Sequence, residues 1–438
     1  MRLLQIFHGS NLANGVDRVT LTLTEGLVAA GVQVHALLPD RGVVGDELDR
    51  LGVAVTYAPL SCCEPLVPRA RLKFFAAAAR RSKVIAQLID QLQIEVVHAN
   101  TGHMLDAAVA AAMQSVPLIW HLHSPIEIDH ARYTPHLDLP GYAALLQTLG
   151  SRVIAVSNDM ADSFAACLPR EHIDVLFSGV DIADLTLRAG RSERPLRDEL
   201  ELPADAQLVL GVGRISAQKD FASFARVASH VLKSNPRAYF LIAGPPEEPG
   251  ALAALEREIE EKALGARVRL LGARNDIPRL VRASDVVLST AAFEGQGMSS
   301  IEAMALRRPV VAMACVGLRE CITHETDGLL VPLGGELAAA EAVNRVLSEP
   351  DFARRIGAQA LLTVQRRFSR EAFAQRFIEI ARKCIDSHRA DERRSLVPLV
   401  GALMQQIAEA EARVLAAEGR GRRGLLARLG GRLGALRT

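Results

Sequence analysis

The sequence predicts an α/β protein made of two doubly wound domains of similar size that face each other across a cleft. Short apolar runs, typical of buried parallel strands, alternate with stretches of helical spacing. This alternation occurs twice, on either side of a charged segment at 187–201. With 438 residues, 49% of them hydrophobic, the chain is also long enough to bury more than one core.

The first series starts with a strand over 3–7, a turn-rich loop over 9–15 and a helix over 16–30. Gly31 follows this helix, as expected where a helix ends in the left-handed conformation. Further strands are predicted at 32–38, 95–98, 118–122, 153–156 and 174–177, with helices at 84–92 and 104–114. We expect a mostly parallel sheet with helices on both faces.

The charged segment is interpreted as a linker with a short polar helix, and a second series follows it. Its predicted strands lie at 208–212, 239–243, 268–271, 286–289 and 310–313. Helices are predicted between them at 221–233, 251–264, 277–282 and 299–306. Ligands of such sheets bind at the carboxyl ends of the strands, so the cleft is the expected site.

Composition excludes several classes of protein. Lys and Arg together number 51 and Asp and Glu 50, a balance that argues against nucleic-acid binding driven by bulk charge. No apolar run reaches the ~18 residues that a membrane-spanning helix needs. The six cysteines show no Cys-x-x-Cys spacing and are interpreted as reduced thiols, so the expected location is cytoplasmic.

The stretch Gly419–Thr438 contains six arginines and no acidic residue, and its leucines can share one helical face. This pattern is typical of a segment that lies on an anionic membrane surface. The alternative is a solvated basic tail, since each glycine weakens a helix by about 1 kcal/mol. The sequence leaves both interpretations open.

The strongest local motif is the segment from Phe293 to Glu302. Two glycines separate a predicted strand from a helix start, where backbone N–H groups can bind a phosphate. Glu302 lies one turn into that helix and can accept hydrogen bonds from the vicinal hydroxyls of a ribose. Glu294 precedes the loop and faces the same cleft. The alternative is an ordinary helix start with favourably placed acidic residues.

Three further segments offer weaker signals. Arg214 and Lys219 follow a strand and a glycine turn, where two cations suit a diphosphate, although surface cations would look the same. The turn around Asn14 and Gly15 is not a dinucleotide fingerprint. His123, two residues after His121, can contact a substrate, and no acidic or cysteine partner stands at metal-ligand spacing.

With these residues in order, the chain resembles the retaining glycosyltransferases of family 4, which have the GT-B fold of two Rossmann-like domains. The resemblance rests on Glu294-x7-Glu302 with its following Ala303-Met-Ala305 and Gly317-Leu-Arg-Glu320, and on the Gly213-Arg214-x4-Lys219 element. It runs from about residue 3 to residue 377. It implies an N-terminal acceptor-side domain over 1–186, a nucleotide-sugar domain over 187–369, a helix over 370–387 that returns to the first domain, and a tail over 388–438.

The resemblance also implies roles for individual residues. Glu294 and His123 become the candidate catalytic residues, near the donor sugar. Arg214 and Lys219 would hold the donor diphosphate, and Glu302 the ribose. The remaining implied contacts are Gly297, Met298 and Ser299 at the sugar and distal phosphate, Val268 beside the base, and Asn14 and Gly15 in an acceptor-side loop.

Several positions depart from the family pattern. Ser178 stands where Asn is usual, Gln296 where an aromatic residue is common, and Arg307 where a turn usually has Gly. Val316 replaces the first of a glycine pair in a loop on the donor side, so the sequence does not identify the donor sugar. None of these changes removes a cation expected at the diphosphate.

The implied reaction moves a sugar from a nucleoside-diphosphate sugar to an acceptor hydroxyl in cell-surface polysaccharide or glycolipid synthesis. The expected partners are this donor, a glycan or lipid-linked acceptor and, through the tail, an anionic membrane. No cofactor is expected, and no metal, because no Asp-x-Asp motif follows a suitable strand. The alternatives are a non-catalytic scaffold with the same fold and a nucleotide-sugar epimerase.

Overall fold

A computed structural model describes residues 1–12, 15–60, 68–102, 104–127, 138–190 and 195–390, with side chains for all of them except 68–76 and 389–390. Within these ranges the chain forms two parallel sheets flanked by helices, which confirms the predicted fold class. Helices cover both faces of the first sheet, because Leu4 and Ile6 enter one apolar core and Leu3 enters another. The tail at 391–438 lies outside the described residues.

The first sheet has seven parallel strands in the order β3-β2-β1-β4-β5-β6-β7. The strand order reverses between β1 and β4, and a ligand crevice is expected outside the carboxyl ends at such a point. Its strands are β1 (Arg2–Ile6), β2 (Gln33–Leu38), β3 (Ala54–Tyr57), β4 (Val96–Ala99), β5 (Leu118–Leu122), β6 (Arg152–Ala155) and β7 (Ile173–Val175).

The helices associated with the first series pack against this sheet. Ser157 caps α6 by accepting a hydrogen bond from the N–H of Met160 at 3.3 Å, which satisfies one N–H group of the first turn. These helices are α1 (Gly15–Ala29), α2 (Val43–Arg50), α3 (Pro68–Gln91), α4 (Leu105–Met113), α5 (Leu139–Leu149) and α6 (Asn158–Ala165).

The second sheet has six parallel strands in the order β10-β9-β8-β11-β12-β13, with its reversal between β8 and β11. The strands are β8 (Gln207–Val212), β9 (Ala238–Ala243), β10 (Val268–Gly272), β11 (Val286–Ser289), β12 (Val310–Met313) and β13 (Leu329–Val331). The helices of this part are α7 (Ile182–Ala189), α8 (Leu196–Glu199), α9 (Phe221–Val231), α10 (Ala251–Glu261), α11 (Ile277–Ala283), α12 (Met298–Ala305), α13 (Glu336–Ser348) and α14 (Pro350–Arg367).

Within the described ranges the chain crosses between the domains twice, and the two crossings run side by side. The N–H of Val180 donates to the carbonyl of Phe368 at 2.8 Å, and the N–H of Arg370 donates to the carbonyl of Val180 at 3.0 Å. Leu185 of α7 belongs to a core of the second domain. The crossing therefore lies near Val180, a few residues before the predicted boundary at 186.

The final helix, α15 (Arg370–Ala390), packs on the first domain. Its buried Phe373 and Phe377 share a core with Leu3 and Phe7. The rings of Phe377 and of His98 in β4 pack at an angle of 60°, with centroids 4.8 Å apart. The C-terminal end of the described chain thus helps to build the first domain.

Several elements were missed by the sequence analysis. These are α2, β3, α5, α6, α7, β13, α13 and α14, together with the first half of α3. The strand β3 is an edge strand whose residues are exposed or half-buried, so it lacks a long apolar run. Among the described residues, no helix is both long and apolar enough to cross a membrane.

Candidate active site between the two domains

The site is built on the two adjacent central strands of the second sheet. The loop after β8 carries Arg214 and Lys219, and the loop after β11 carries Glu294. Because β8 and β11 are parallel neighbours, both loops leave the same edge of the sheet. This edge faces the first domain.

Lys219 and Glu294 form an ion pair within the site. The Lys219 ammonium contacts the Glu294 carboxylate directly, and the two side chains are 18% and 9% exposed. The amide nitrogen of Gln218 also lies 3.5 Å from the second carboxylate oxygen. The predicted diphosphate cation and the predicted sugar-contacting carboxylate therefore meet, each neutralising the other.

Arg214 lies on the same loop but has a different partner. Its guanidinium pairs with Glu247, which follows β9, and its side chain is 54% exposed. An exposed pair of this kind contributes little to stability. An incoming phosphate can therefore replace Glu247 at small cost.

The helix α12 starts at the end of the Glu294 loop. Gly297 precedes it with φ 80°, a left-handed value that favours glycine. The first-turn N–H groups, those of Met298 and Ser299 among them, have no acceptor within the helix. The positive end of this helix dipole can therefore bind an anion.

Glu302 completes this side of the cleft. Burial raises the pKa of its carboxyl, and the charges of Arg18, Arg188 and Lys219 partly offset the effect. Arg18 belongs to α1 of the first domain, so cations from both sides of the cleft act on this carboxylate. The arrangement suits a carboxylate that receives hydrogen bonds from hydroxyl groups.

The donor-side loop touches the first domain at Gly295. A Cβ atom at this position would lie 2.8 Å from the carbonyl oxygen of His123 and 3.3 Å from a methyl group of Val156. Only a residue without a side chain permits this approach. His123 is thereby held next to the Glu294 loop.

His123 follows β5 and is half-buried. Its Nε2 lies 3.1 Å from Oδ1 of Asn100, which follows the neighbouring strand β4. Burial and the nearby His8 lower the pKa of His123 to about 4, so its ring is neutral at pH 7. The ring centroids of His121 and His123 are 4.3 Å apart, so the two side chains lie on the same side of the sheet.

His98 and His121 are structural by their surroundings. Nε2 of His98 lies 3.1 Å from Nδ1 of His121, and Nδ1 of His98 lies 3.4 Å from the Gln5 amide. Burial lowers the pKa of His98 to about 3 and that of His121 well below its usual value. Both rings therefore stay neutral inside the first domain.

The remaining predicted residues are Val268, Gly15 and Asn14. Val268 lies at the amino end of β10, about 13 Å of strand away from the carboxyl edge of the sheet. It packs in the second domain's core and does not join the others, which corrects the prediction that it flanks the base. Gly15 is the exposed first residue of α1, and a Cβ there would meet no atom within 4 Å. Asn14 lies outside the described residues.

Two cross-domain contacts were not anticipated. The buried Gln296 amide accepts a hydrogen bond from the N–H of Ser178 at 2.6 Å and donates to its carbonyl at 3.0 Å. At the rim, Glu320 accepts from the N–H groups of Asn158 at 2.9 Å and Asp159 at 2.6 Å. Both contacts hold the domains together around the site.

The Asp159 carboxylate, on the first domain, forms a second contact across the rim, next to that of Glu320. It accepts hydrogen bonds from the N–H of Gly317 at 3.0 Å and from Nε of Arg319 at 3.0 Å. The Arg319 guanidinium lowers the pKa of Asp159, because it stabilises the ionised form. Asp159, Gly317, Arg319 and Glu320 are called the rim latch below.

Two family models match the chain, one for each half. The model described as "Glycosyltransferase Family 4" matches residues 13–184, and the one described as "Glycosyl transferases group 1" matches residues 192–362. The first of these halves carries His123 and the second carries Lys219, Glu294 and Glu302.

The chain belongs to the family 4 glycosyltransferases.

Individual relatives agree with this assignment. A lipopolysaccharide core biosynthesis glycosyltransferase of Rhizobium meliloti is 29% identical over 248 residues, which are 57% of this chain and 66% of the relative. The match thus spans just under two thirds of that relative's length. An Escherichia coli galactosyltransferase that acts on GlcNAc-diphosphoundecaprenol is 23% identical over 348 residues, 77% of this chain and 86% of that protein.

Solved structures show the same fold. The Anabaena protein HepE, in a crystal structure with UDP-glucose, superposes with a TM-score of 0.70 at 22% identity. The superposition covers 87% of this chain and all of HepE. This family 4 chain therefore has the two-domain GT-B architecture.

Proposed function

We propose that this family 4 glycosyltransferase moves a sugar from a nucleoside-diphosphate sugar to an acceptor hydroxyl, with retention of configuration at the anomeric carbon. The observation that carries the proposal is the convergence of Lys219, Glu294 and the start of α12 at one edge of the second sheet, opposite His123. A cation and a helix start suit a diphosphate. Carboxylates and a neutral imidazole suit sugar hydroxyls.

The chemistry follows from where charge develops. The diphosphate gains negative charge as its bond to the sugar breaks, and cations already in place stabilise that charge without reorganisation. Lys219 would exchange its contact with Glu294 for the phosphate. Glu294 would then be released to accept hydrogen bonds from the sugar.

Closure of the two domains supports transfer over hydrolysis. The rim latch and the contact between Gly295 and His123 bring the domains together at the site. A closed site excludes water, which would otherwise attack the activated sugar. Because Lys219, Arg214 and the first turn of α12 supply positive charge, we also propose that departure of the diphosphate needs no metal ion.

The acceptor side is proposed from the relatives. The printed names of the Rhizobium and Escherichia coli relatives concern lipopolysaccharide core and a diphosphoundecaprenol-linked sugar. We propose an acceptor of this class, a growing cell-surface glycan or glycolipid. HepE was crystallised with UDP-glucose, so UDP-sugars are the first donors to test.

A donor screen with a matched pair of variants tests the proposal. UDP-, GDP- and ADP-sugars are compared by the rise in melting temperature that a bound ligand produces, and nucleotide release is then followed with glycolipid acceptors. Lys219→Ala should weaken the response to the donor, because a charge-assisted hydrogen bond is worth about 1.5–3 kcal/mol. Lys233→Ala, at an exposed position after α9, is the control and should behave as the parent chain.

Three results would contradict parts of the proposal. Unchanged turnover in Lys219→Ala would refute the diphosphate assignment. A chain that binds nucleotide sugars but never releases nucleotide with any acceptor would be a scaffold with this fold. Loss of turnover in the presence of a metal chelator, restored by added divalent metal, would refute metal independence.

A further inference from the structure

The first domain contains a chain of hydrogen bonds that ends on His123. It starts at the Thr20 hydroxyl in α1, which donates to the carbonyl of Val16 at 2.8 Å. The Thr20 oxygen also contacts the side-chain amide of Asn100, and the Asn100 amide contacts Nε2 of His123 at 3.1 Å. Thr20 and Asn100 are buried, with 1% and 0% exposure.

The protons in this chain can be placed by counting donors. A hydroxyl has one hydrogen, and Thr20 uses it on Val16, so Thr20 can only accept from Asn100. Asn100 must then turn its NH₂ group towards Thr20 and its carbonyl oxygen towards His123. That oxygen accepts only, so Nε2 of His123 carries the proton.

The other ring nitrogen follows from the neutrality of the ring. A neutral imidazole has one N–H and one lone pair, which leaves the lone pair of His123 on Nδ1. Among the residues that the structure describes, no group hydrogen-bonds to this nitrogen. His123 is half-buried beside the Glu294 loop, so an acceptor without a protein partner lies at the cleft.

We propose that Asn100, itself oriented by Thr20, is a positioning residue that holds His123 in the tautomer with its lone pair on Nδ1, where the ring accepts a hydrogen bond from a substrate hydroxyl. The substrate part of this inference rests on the proposed function. The tautomer itself does not, since it follows from contacts within the first domain.

The surroundings of His123 decide its protonation. The titratable groups around it are His8 after β1, His98 in β4 and His121 in β5, and all three can carry only positive charge. The helices α1 and α15 present Thr20 and Phe373 to this cluster, and neither is charged. Glu294, next to Gly295 on the facing loop, pairs with Lys219. The pKa of His123 is lowered to about 4, so the lone pair persists at neutral pH.

Nitrogen NMR of the full chain with ¹⁵N-labelled histidine tests the tautomer without any substrate. The chain has 12 histidines, and the signals of His123 are those lost in His123→Gln. Correlations from ring protons to nitrogens distinguish a protonated from an unprotonated nitrogen. We expect Nδ1 of His123 to be unprotonated and Nε2 to be protonated; the reverse result overturns the proposal.

Three variants separate positioning from a merely structural role. Asn100→Asp places a carboxylate at Nε2 and should raise the pKa of His123 by about 1 to 3 units, as an opposite charge at this distance does. Thr20→Val removes the group that orients Asn100, so the second tautomer should become populated. Thr22→Val is the control: it removes a hydroxyl of the same helix that donates to the Arg18 carbonyl at 3.1 Å. It should leave the spectrum of His123 unchanged.

The pH profile of glycosyl transfer provides the substrate test. In Asn100→Asp, activity should fall as the pH drops through the raised pKa, because the imidazolium has no lone pair; the parent chain should show no such fall until near pH 4. An unchanged pKa of His123 in Asn100→Asp would refute the positioning of His123 by Asn100. If the pKa of His123 rises but the pH profile of transfer does not change, Asn100 still positions His123, and the hydrogen bond from the substrate to His123 is refuted.

Discussion

At the residue scale, Glu302 shows how one carboxylate can be tested for contact with a ribose. Glu302→Gln should weaken binding of UDP more than binding of a sugar 1-phosphate, because a carboxylate can accept from both ribose hydroxyls and an amide offers one acceptor oxygen. Loss of a hydrogen bond to a charged group costs about 1.5–3 kcal/mol, or roughly tenfold to a hundredfold in affinity. Calorimetry on the two ligands measures the difference.

A matched variant controls for the change of charge. Glu258→Gln alters a carboxylate of α10 that pairs with Arg226 and Lys262, outside the two cleft loops. It should affect neither ligand. If Glu302→Gln weakens both ligands equally, the carboxylate acts on the common phosphate region and not on the ribose.

At the element scale, the loop before α12 is tied to the crossing segment by Gln296. Gln296→Leu leaves the N–H and the carbonyl of Ser178 buried without partners, and each unsatisfied group costs about 1–3 kcal/mol. We expect a lower free energy of unfolding and a higher KM for the donor, because the loop that carries Glu294 loses its anchor. Chemical denaturation and steady-state kinetics measure the two effects.

Gln207→Leu is the matched control for this variant. The Gln207 amide also bonds at both ends, to the Leu347 carbonyl and to Asn235 at 2.8 Å each, but all three groups belong to the second domain. It should lose stability and keep its KM. Equal KM values in the two variants would show that Gln296 has no role in placing the loop.

Arg307 shows how an element boundary tolerates a departure from the family pattern. It follows α12 with φ 59°, the left-handed region that glycine adopts without strain. The turn survives with Arg because its backbone is held on two sides: its N–H donates to the Met304 carbonyl, and its own carbonyl oxygen would lie 2.2 Å from a Cβ at Gly357 of α14. The strain is therefore retained by packing.

At the scale of the whole molecule, the rim latch connects the two domains. Removing the Asp159–Arg319 pair with Asp159→Asn and Arg319→Gln should favour the open form, raise the donor KM and enlarge the radius of gyration in solution scattering. Arg319 is 53% exposed, so the coupling free energy in a double-mutant cycle should be about 0.2–1 kcal/mol. No coupling, with unchanged scattering, would show that the latch does not bias closure.

The latch should also respond to pH in one direction. The pKa of Asp159 is lowered in the folded chain, so its contribution is present above the unfolded value of about 3.9 and disappears as the pH falls through the lowered value. Closure should therefore be unaffected between pH 6 and 8. Arg354→Ala breaks the exposed pair with Asp351 within α14 and is the control, with no expected effect on scattering.

The basic tail makes a separate prediction for the molecule at a membrane. Deleting 419–438 should reduce flotation with anionic vesicles, because each of its six arginines contributes about 1 kcal/mol near such a surface. The loss should be greatest at low salt, since charges are screened beyond ~3 Å at 1 M. If the full-length and the truncated chain float equally, the tail does not bind the membrane and is solvated.

The sequence by itself determined the repeated α/β pattern and the residues of the donor side. A strand such as β12 is apolar throughout because both faces of a parallel sheet are covered, so its composition alone reveals it. Lys219, Glu294 and Glu302 were found because they follow predicted strands or start a helix, and their chemistry depends on that local position. Short amphipathic and edge elements such as α2 and β3 escaped because their signal is divided between core and solvent.

Only the tertiary structure decided how distant segments meet. Gln296 and Ser178, 118 residues apart, were visible in the sequence as two separate departures from a pattern, and the fold shows that they bond to each other. Asn100 and Thr20 could not be recognised in the sequence, since the role of a buried amide or hydroxyl depends on the groups that it contacts in the fold. The prediction for Val268 was wrong because the arrangement of the sheet decides which end of a strand lies at the cleft. The composition of the strand does not reveal it. Hydrogen bonds between segments depend on three-dimensional distance, which local propensity does not encode.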